Sequence, residues 1–126
     1  MHDLLLFFLQ ITGKADVFIT SWAISEIAMR QLFSFKKNGL IISLNLILDY
    51  RNKVRKEKEL AFVKQFCDNI SLKKIHAKVT VIQNENFSIS IIGSANYTRN
   101  PRIESGVILI SKKVADFNIK WIHELL

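Results

Sequence analysis

The sequence predicts an α/β fold: a mixed, largely parallel sheet with helices on both faces. Three observations lead there. Up to Cys67, segments with helical apolar spacing alternate with short β-branched runs, the order of a chain that crosses over between parallel strands. Residues 40–48 (LIISLNLIL) are apolar almost without alternation, as a strand covered on both faces must be. From Ile70 onward the period falls to two, the mark of strands with distinct faces.

Element by element, residues 3–12 are apolar on nearly all sides and read as a short buried helix that Gly13 ends at its C-cap. Residues 16–22 (DVFITSW) are β-branched and aromatic, so they form a strand. Ile24, Ile27, Ala28, Leu32 and Phe35 share one stripe of a helix over 24–37, closed by Asn38-Gly39. After the apolar strand, residues 49–59 (DYRNKVRKEKE) are densely charged and lead into the stripe Leu60, Val63, Cys67. That is one helix with a solvated outer face. A strand follows over 75–82, with His76, Lys78 and Thr80 on one side and Ile75, Ala77, Val79 and Val81 on the other. Gln83-Asn84-Glu85-Asn86 is the turn of a hairpin, and 87–92 and 107–110 are further strands. A last helix places Val114, Phe117, Trp121 and Leu125 on one side. Residues 1–126 form a single domain.

Composition narrows the function. Eighteen basic residues against eleven acidic give a formal charge of +7, which favours a polyanionic partner, nucleic acid above all. A single cysteine excludes an intrachain disulfide, and one Cys with three His excludes a structural zinc cluster within one chain. The longest early apolar run, residues 4–9, falls far short of the ~20 residues of a spanning helix. It also lacks a basic flank. The expectation is a cytoplasmic protein without stable membrane insertion.

Two short segments carry chemistry. His76 and Lys78, two apart on a strand, point the same way about 6.5 Å apart, around a volume the size of a phosphate. Gly93-Ser94-Ala95-Asn96 follows the returning strand, and Ser94 and Asn96 are again two apart. The hairpin brings both pairs together: one nucleophile or base, one cation and two neutral donors, with no metal and no cofactor required.

These residues resemble the phospholipase D superfamily, whose signature is His-x-Lys, a later Asp, and a Gly-Ser-x-Asn segment. His76-Ala77-Lys78 matches the first part and Gly93-Ser94-Ala95-Asn96 the last. Residues 19–25 (ITSWAIS), ending a strand before a helix, look like a bacterial and phage branch. Gln83 stands where the signature has its Asp, and the hairpin is longer than the strict pattern. The resemblance implies a phospholipase D/nuclease-like domain, with little room here for the strand that often precedes the first helix. It also implies a metal-independent phosphodiester hydrolase. His76 would attack phosphorus and form a phosphohistidine. Lys78 and Asn96 would hold the non-bridging oxygens, with Ser94 supporting them by a hydrogen bond. Glu104 would hold the second imidazole nitrogen. Arg99 and Arg102, which flank the Ser/Asn segment, would bind substrate at the mouth. A chain with one such motif implies a homodimer, in which His76 of a second copy serves as the acid that protonates the leaving group.

The leading expectation is therefore a nuclease acting on DNA or RNA. Two alternatives stand beside it: a phospholipid hydrolase, and a non-catalytic phospholipase D-like module that dimerises and binds nucleic acid in a phage or restriction-type system. Gln83 and the lengthened hairpin favour the last of these. Trp22 reads as packing at a strand end, and the basic residues of 51–58 as a solvated helix face.

Overall fold

The computed structural model describes residues 1–99 and 101–126. Eleven elements follow in the order α1 (His2–Thr12), β1 (Ala15–Ser21), α2 (Glu26–Lys37), β2 (Ile41–Asp49), α3 (Asn52–Arg55), α4 (Glu57–Val63), β3 (Asn69–Lys73), β4 (Val79–Gln83), β5 (Ser88–Gly93), β6 (Gly106–Ile110) and α5 (Lys112–Leu125). The strands form one six-stranded mixed sheet in the order β3-β2-β1-β4-β5-β6. It is less parallel than the sequence suggests. β1–β2 and β2–β3 are parallel, whereas β1–β4, β4–β5 and β5–β6 are antiparallel. The reason is connection length. Helices join β1 to β2 and β2 to β3, but a turn of four residues, 84–87, joins β4 to β5, and so short a connection can only reverse direction.

Helices cover both faces. On one, α1, α2 and α4 pack Leu5, Leu9, Met29, Leu32 and Val63 against Val17, Ile19, Leu44, Leu46, Leu48, Ile89 and Ile91. On the other, α5 packs Ala115 and Ile122 against Phe18, Ile47, Val79 and Val81. The two sets alternate along β1 and β2, as the strand period requires. Each fully buried Leu or Ile stabilises the fold by roughly 1.5–3 kcal/mol relative to exposure. These two layers therefore hold the sheet and, with it, the strand ends where chemistry can occur.

The apolar run of β2 is covered from Leu44 to Leu48, but Ile42 is half exposed. α5 lies over β5, β4 and β1 and does not reach the start of β2. In α5 the buried stripe is Ala115, Asn118 and Ile122, and Phe117 is exposed. The small Ala115 lets the helix approach the sheet, and Asn118 donates to Ser90 Oγ at 3.4 Å while accepting from Trp121 Nε1 at 3.0 Å.

α2 starts two residues later than its apolar spacing suggests. Ser25 caps it by accepting from the Ala28 amide at 3.2 Å, and Ile24 instead forms a bridge with Tyr97. The charged segment after β2 is two short helices, α3 and α4, divided at Lys56. No apolar side chain anchors its first turn, and Val54 stands in solvent. β3 had no separate sequence signal, since its five residues lie at the sheet edge and are at most partly buried. The strand over 75–82 begins only at Val79, so His76 and Lys78 precede β4.

The thiol of Cys67 donates to the Leu44 and Asn69 carbonyls, and burial pushes its pKa up to about 12. It should therefore resist a thiol reagent at pH 8 in the native protein and react at once in urea. Equal rates in both states, read by absorbance of the released chromophore, would contradict this packing.

Candidate active site

Strand direction selects one edge of the sheet. The C-terminal ends of β1, β2, β3 and β5 meet the N-terminal ends of β4 and β6 there, since Thr20 pairs with Val79, Val79 with Ile92, and Gly93 with Gly106. A cleft of about 730 Å³ opens on this edge, and His76, Lys78, Ser94, Asn96, Arg102 and Glu104 all line it, together with Trp22. Arg99 does not line it. Its charge acts instead on His2 at the start of α1, where it opposes protonation, though burial is the larger cause of that histidine's lowered pKa.

The His76–Lys78 segment is held by Thr20. The Thr20 hydroxyl donates to the Ala77 carbonyl and accepts from the Val79 amide, both at 3.0 Å. Asp49 takes the Ile75 amide at 3.3 Å from the other side. Between these anchors, Lys78 Nζ donates to the His76 carbonyl at 2.7 Å and stands 3.1 Å from Nδ1 of the imidazole. Burial lowers the Lys78 pKa, and the nearby Glu104 carboxylate opposes that shift. Ammonium and imidazole thus occupy one end of the cleft.

Asn96 is fixed differently. Its Oδ1 accepts from the Trp22 amide at 3.1 Å and the Ala23 amide at 3.3 Å, and Ser21 Oγ, whose proton goes first to the Ala23 carbonyl at 2.7 Å, lies 3.2 Å away. Two backbone donors on one atom settle which end of the carboxamide is oxygen. The Nδ2 group, without a protein partner among the described residues, is left as a donor. The next residue, Tyr97, is buried, and its hydroxyl meets Thr80 Oγ1 at 2.7 Å. Its backbone takes the Ser25 amide at 2.7 Å. Burial raises the Tyr97 pKa, so the phenol stays neutral.

Ser94 and Glu104 depart from the roles that the resemblance implies. The Ser94 hydroxyl donates to Glu104 Oε2, and it accepts from the Ser105 amide at 3.1 Å. Glu104 therefore holds Ser94 and not His76, and Ser94 supports the cleft wall rather than Lys78 or Asn96. The cause is register. Pairing Gly93 with Gly106 sets residues 94 and 104–105 side by side, while His76 lies beyond the start of β4.

That pairing also explains the motif glycine. A Cβ on Gly93 would fall 2.6 Å from the Ser105 carbonyl oxygen and 2.9 Å from the Gly106 Cα. Gln83 lies at the opposite end of β4 from the cleft. Its amide donates to Asp116 Oδ1 at 2.9 Å and to Ser88 Oγ at 3.2 Å, joining β4 to α5. A neutral residue at this position leaves the cleft untouched.

Sequence reasoning missed Thr20, Ser21, Tyr97 and the pair Asp49–Arg51 as supports of the site. Their common signal is a polar residue that ends an apolar strand and stays buried, as Thr20, Ser21 and Asp49 do. Among the described residues, no group of three or more His, Cys, Asp or Glu could hold a metal ion, and no helix is long and apolar enough to cross a membrane. No protein-family model matches the chain, and no curated protein matches it.

Two outcomes follow from these contacts. Gly93→Ala should push β5 and β6 apart and destabilise the fold by about 1–3 kcal/mol, read from the urea midpoint; an unchanged midpoint would contradict the close approach. Lys78 should titrate below the ordinary lysine value of 10.5. Because Glu104 opposes the effect of burial, Glu104→Gln should lower the Lys78 pKa further, measured by NMR of its side-chain carbons. A rise would mean that Glu104 is not the opposing charge.

Proposed function

We propose that this chain is a metal-independent phosphodiester hydrolase, a nuclease acting on DNA or RNA from the edge that carries His76. The observation that supports it most is the Asn96 carboxamide. Its oxygen is occupied by the Trp22 and Ala23 amides, so its Nδ2 group serves as a preorganised donor in the cleft that Lys78 also lines. A phosphate between them meets donors from two sides before any bond changes, which is how charge developing in a transition state is stabilised.

In the proposed reaction an imidazole nitrogen of His76 attacks phosphorus. A P–N bond forms and the P–O bond to the leaving group breaks. The departing oxygen takes a proton from a second acid. Water then attacks the phosphohistidine and gives its proton to the group that had served as the acid, the P–N bond breaks, and the phosphate monoester leaves with His76 free again. In-line displacement needs nucleophile and acid on opposite sides of phosphorus, and among the described residues the cleft holds one histidine. His76 of a second copy in a homodimer fills the role.

The surface supports such an assembly. β6 (GVILI) is an edge strand whose residues are all exposed, Ile110 by 76%, and Phe117 of α5 is 69% exposed. Edge strands that stay bare are normally blunted by charge, Pro or bulges, and this one has none. One observation favours a phospholipid as substrate. A smaller pocket of about 250 Å³, lined by Leu4, Ile91, Ile92, Val107 and Ile108, shares Lys78, Gly93 and Glu104 with the cleft, and could take an apolar arm. The charge of +7 weighs for nucleic acid. The reading as a non-catalytic module loses support, because Gln83 lies away from the cleft.

Cleavage of plasmid DNA, RNA, phospholipid vesicles and a chromogenic diester tests these readings together. His76→Ala should abolish hydrolysis, and Lys78→Ala or Asn96→Ala should lower it on the order of 10²-fold. Activity should persist in EDTA. Activity lost on chelation and restored by magnesium would refute the mechanism, and full activity of a monomer in light scattering would refute the shared site.

A further inference from the structure

We propose that the cleft continues into a stacking platform for unpaired bases, built from Trp22, Arg51 and Tyr50, and that the substrate is single-stranded nucleic acid. The proposal rests on the phosphodiesterase reading of His76, Lys78 and Asn96 and adds the substrate class to it.

Four flat groups run in a row along the catalytic edge. The His76 and Trp22 rings lie 6.1 Å apart. The Arg51 guanidinium carbon lies 5.0 Å from the centre of the Trp22 ring and 5.9 Å from that of Tyr50. The row follows from the parallel strands. Trp22 is the first residue after β1, and Tyr50 and Arg51 are the first after β2, so the two strand ends carry the groups side by side.

The row is held in place. Asn52 Nδ2 donates to the Trp22 carbonyl at 2.9 Å and to the Asp49 carbonyl at 2.8 Å. Asp49, 1% exposed, accepts from the Arg51 amide at 3.1 Å and from Nε at 2.7 Å. The hydrogen bond from Arg51 holds the Asp49 carboxyl below the usual carboxylate range, so the pair stays charged at neutral pH. A buried carboxylate thus sets the plane of a surface guanidinium whose side chain remains 46% exposed. Two hydrogens on Arg51 Nη1 have no protein partner among the described residues. Tyr50 is half exposed. Trp22 lines the cleft with its ring, while its indole Nε1 is buried and has no hydrogen-bond partner among the described residues.

These groups suit a strand whose bases are free. In a duplex the base faces are covered by neighbouring pairs, and only edges and phosphates are offered. An unpaired base offers its face to an aromatic ring or a guanidinium, with little dependence on sequence. The exposed Lys53 follows β2, and Lys73 and Lys74 lie at the end of β3 and just past it on the same edge, so the phosphates leaving the cleft meet positive charge along this path. The scissile phosphate would sit at His76, with the adjoining base against Tyr50 and Arg51.

The test uses the His76→Ala chain, which binds without cleaving. Three fluorescein-labelled ligands of equal length are titrated at fixed salt: a single-stranded oligonucleotide, an abasic strand with the same phosphates, and a duplex. The base-bearing single strand should bind tightest. Tyr50→Ala should weaken it about tenfold and bring it level with the abasic strand, while Tyr50→Phe should keep the preference, since the ring and not the hydroxyl is the contact. Equal binding of abasic and base-bearing strands, tighter binding of the duplex, or no loss in Tyr50→Ala would overturn the proposal. Failure of the phosphodiesterase reading appears separately, as absent hydrolysis of a chromogenic diester by the wild-type chain, which this binding measurement does not read.

Discussion

The side-chain oxygen of Asn96 accepts from the Trp22 and Ala23 amides, with the Ser21 hydroxyl 3.2 Å away, and so fastens the exit of β5 to the exit of β1 across the intervening β4. Backbone ladders cannot do this, because each strand pairs only with its immediate neighbour. The clasp carries Tyr97 into the core, where its hydroxyl meets Thr80 of β4, and Tyr97 in turn holds the Ser25 amide at the start of α2. One carboxamide thereby links β1, β4, β5 and α2 at a single edge. Each such hydrogen bond contributes only about 0.5–1.5 kcal/mol net, but leaving a buried donor unmet costs about 1–3 kcal/mol. The arrangement is therefore held more by what its loss would strand than by what each contact adds. The same oxygen being occupied is what turns the amide into the available end.

The charges of this edge are sorted in the same spirit. Its two carboxylates are already engaged by the protein, Asp49 by Arg51 and the Ile75 amide, Glu104 by the Ser94 hydroxyl. A bond to a neutral hydroxyl leaves the field of the Glu104 carboxylate in place, while among the described residues Lys78 has no carboxylate partner within salt-bridge distance. Glu104 still supports the Lys78 charge through space. Partial burial shifts Lys78 toward the neutral amine, and the Glu104 carboxylate shifts it back toward the charged form without covering it. An anion approaching the cleft would meet the Asn96 amide, which has no protein acceptor among the described residues, and an ammonium already bonded to the His76 carbonyl and close to its ring.

Much of the fold was legible because burial leaves a periodic trace. The apolar core of β2, the C-terminal ends of α1 and α2 and the β4–β5 hairpin all show in the residues, although the turn lies at Asn84–Phe87, one residue later than Gln83–Asn86. What was not legible depended on neighbours. β3 reads poorly because an edge strand is only partly buried, and the share of antiparallel pairing depended on which strand β4 joins. The stripe of α5 was misplaced because Asn118, a polar residue, is buried by its bond to Ser90, and hydropathy gives no sign of that. At the site, residue types and spacing pointed to His76, Lys78, Ser94 and Asn96 together. The partner of Glu104 did not follow, since it depends on the register of β5 against β6, which Gly93 and Gly106 set by their close approach. Arg51 was read as part of a solvated face, and only the folded chain brings it over Trp22.

That close approach of Gly93 and Gly106 ties the cleft to the most exposed strand of the molecule. β6 starts at Gly106, and the residues just before it, Glu104 and Ser105, grip Ser94 in the cleft wall. A bare apolar edge such as GVILI is a standing template for another strand. Whatever pairs with it constrains Gly106, and through the glycine contact constrains Ser94, two residues from Asn96. In the proposed homodimer, covering this edge and supplying the second His76 would be one event, so the wall of the cleft would be held most firmly in the state that also contains the acid. Assembly and catalytic competence would then be linked by mass action. A lone chain would retain the proposed phosphate-binding donors, because the hydrogen bonds that hold Asn96 and the Lys78 segment come from β1 and the chain that leaves it. Binding without turnover is the state this division of labour assigns to the monomer.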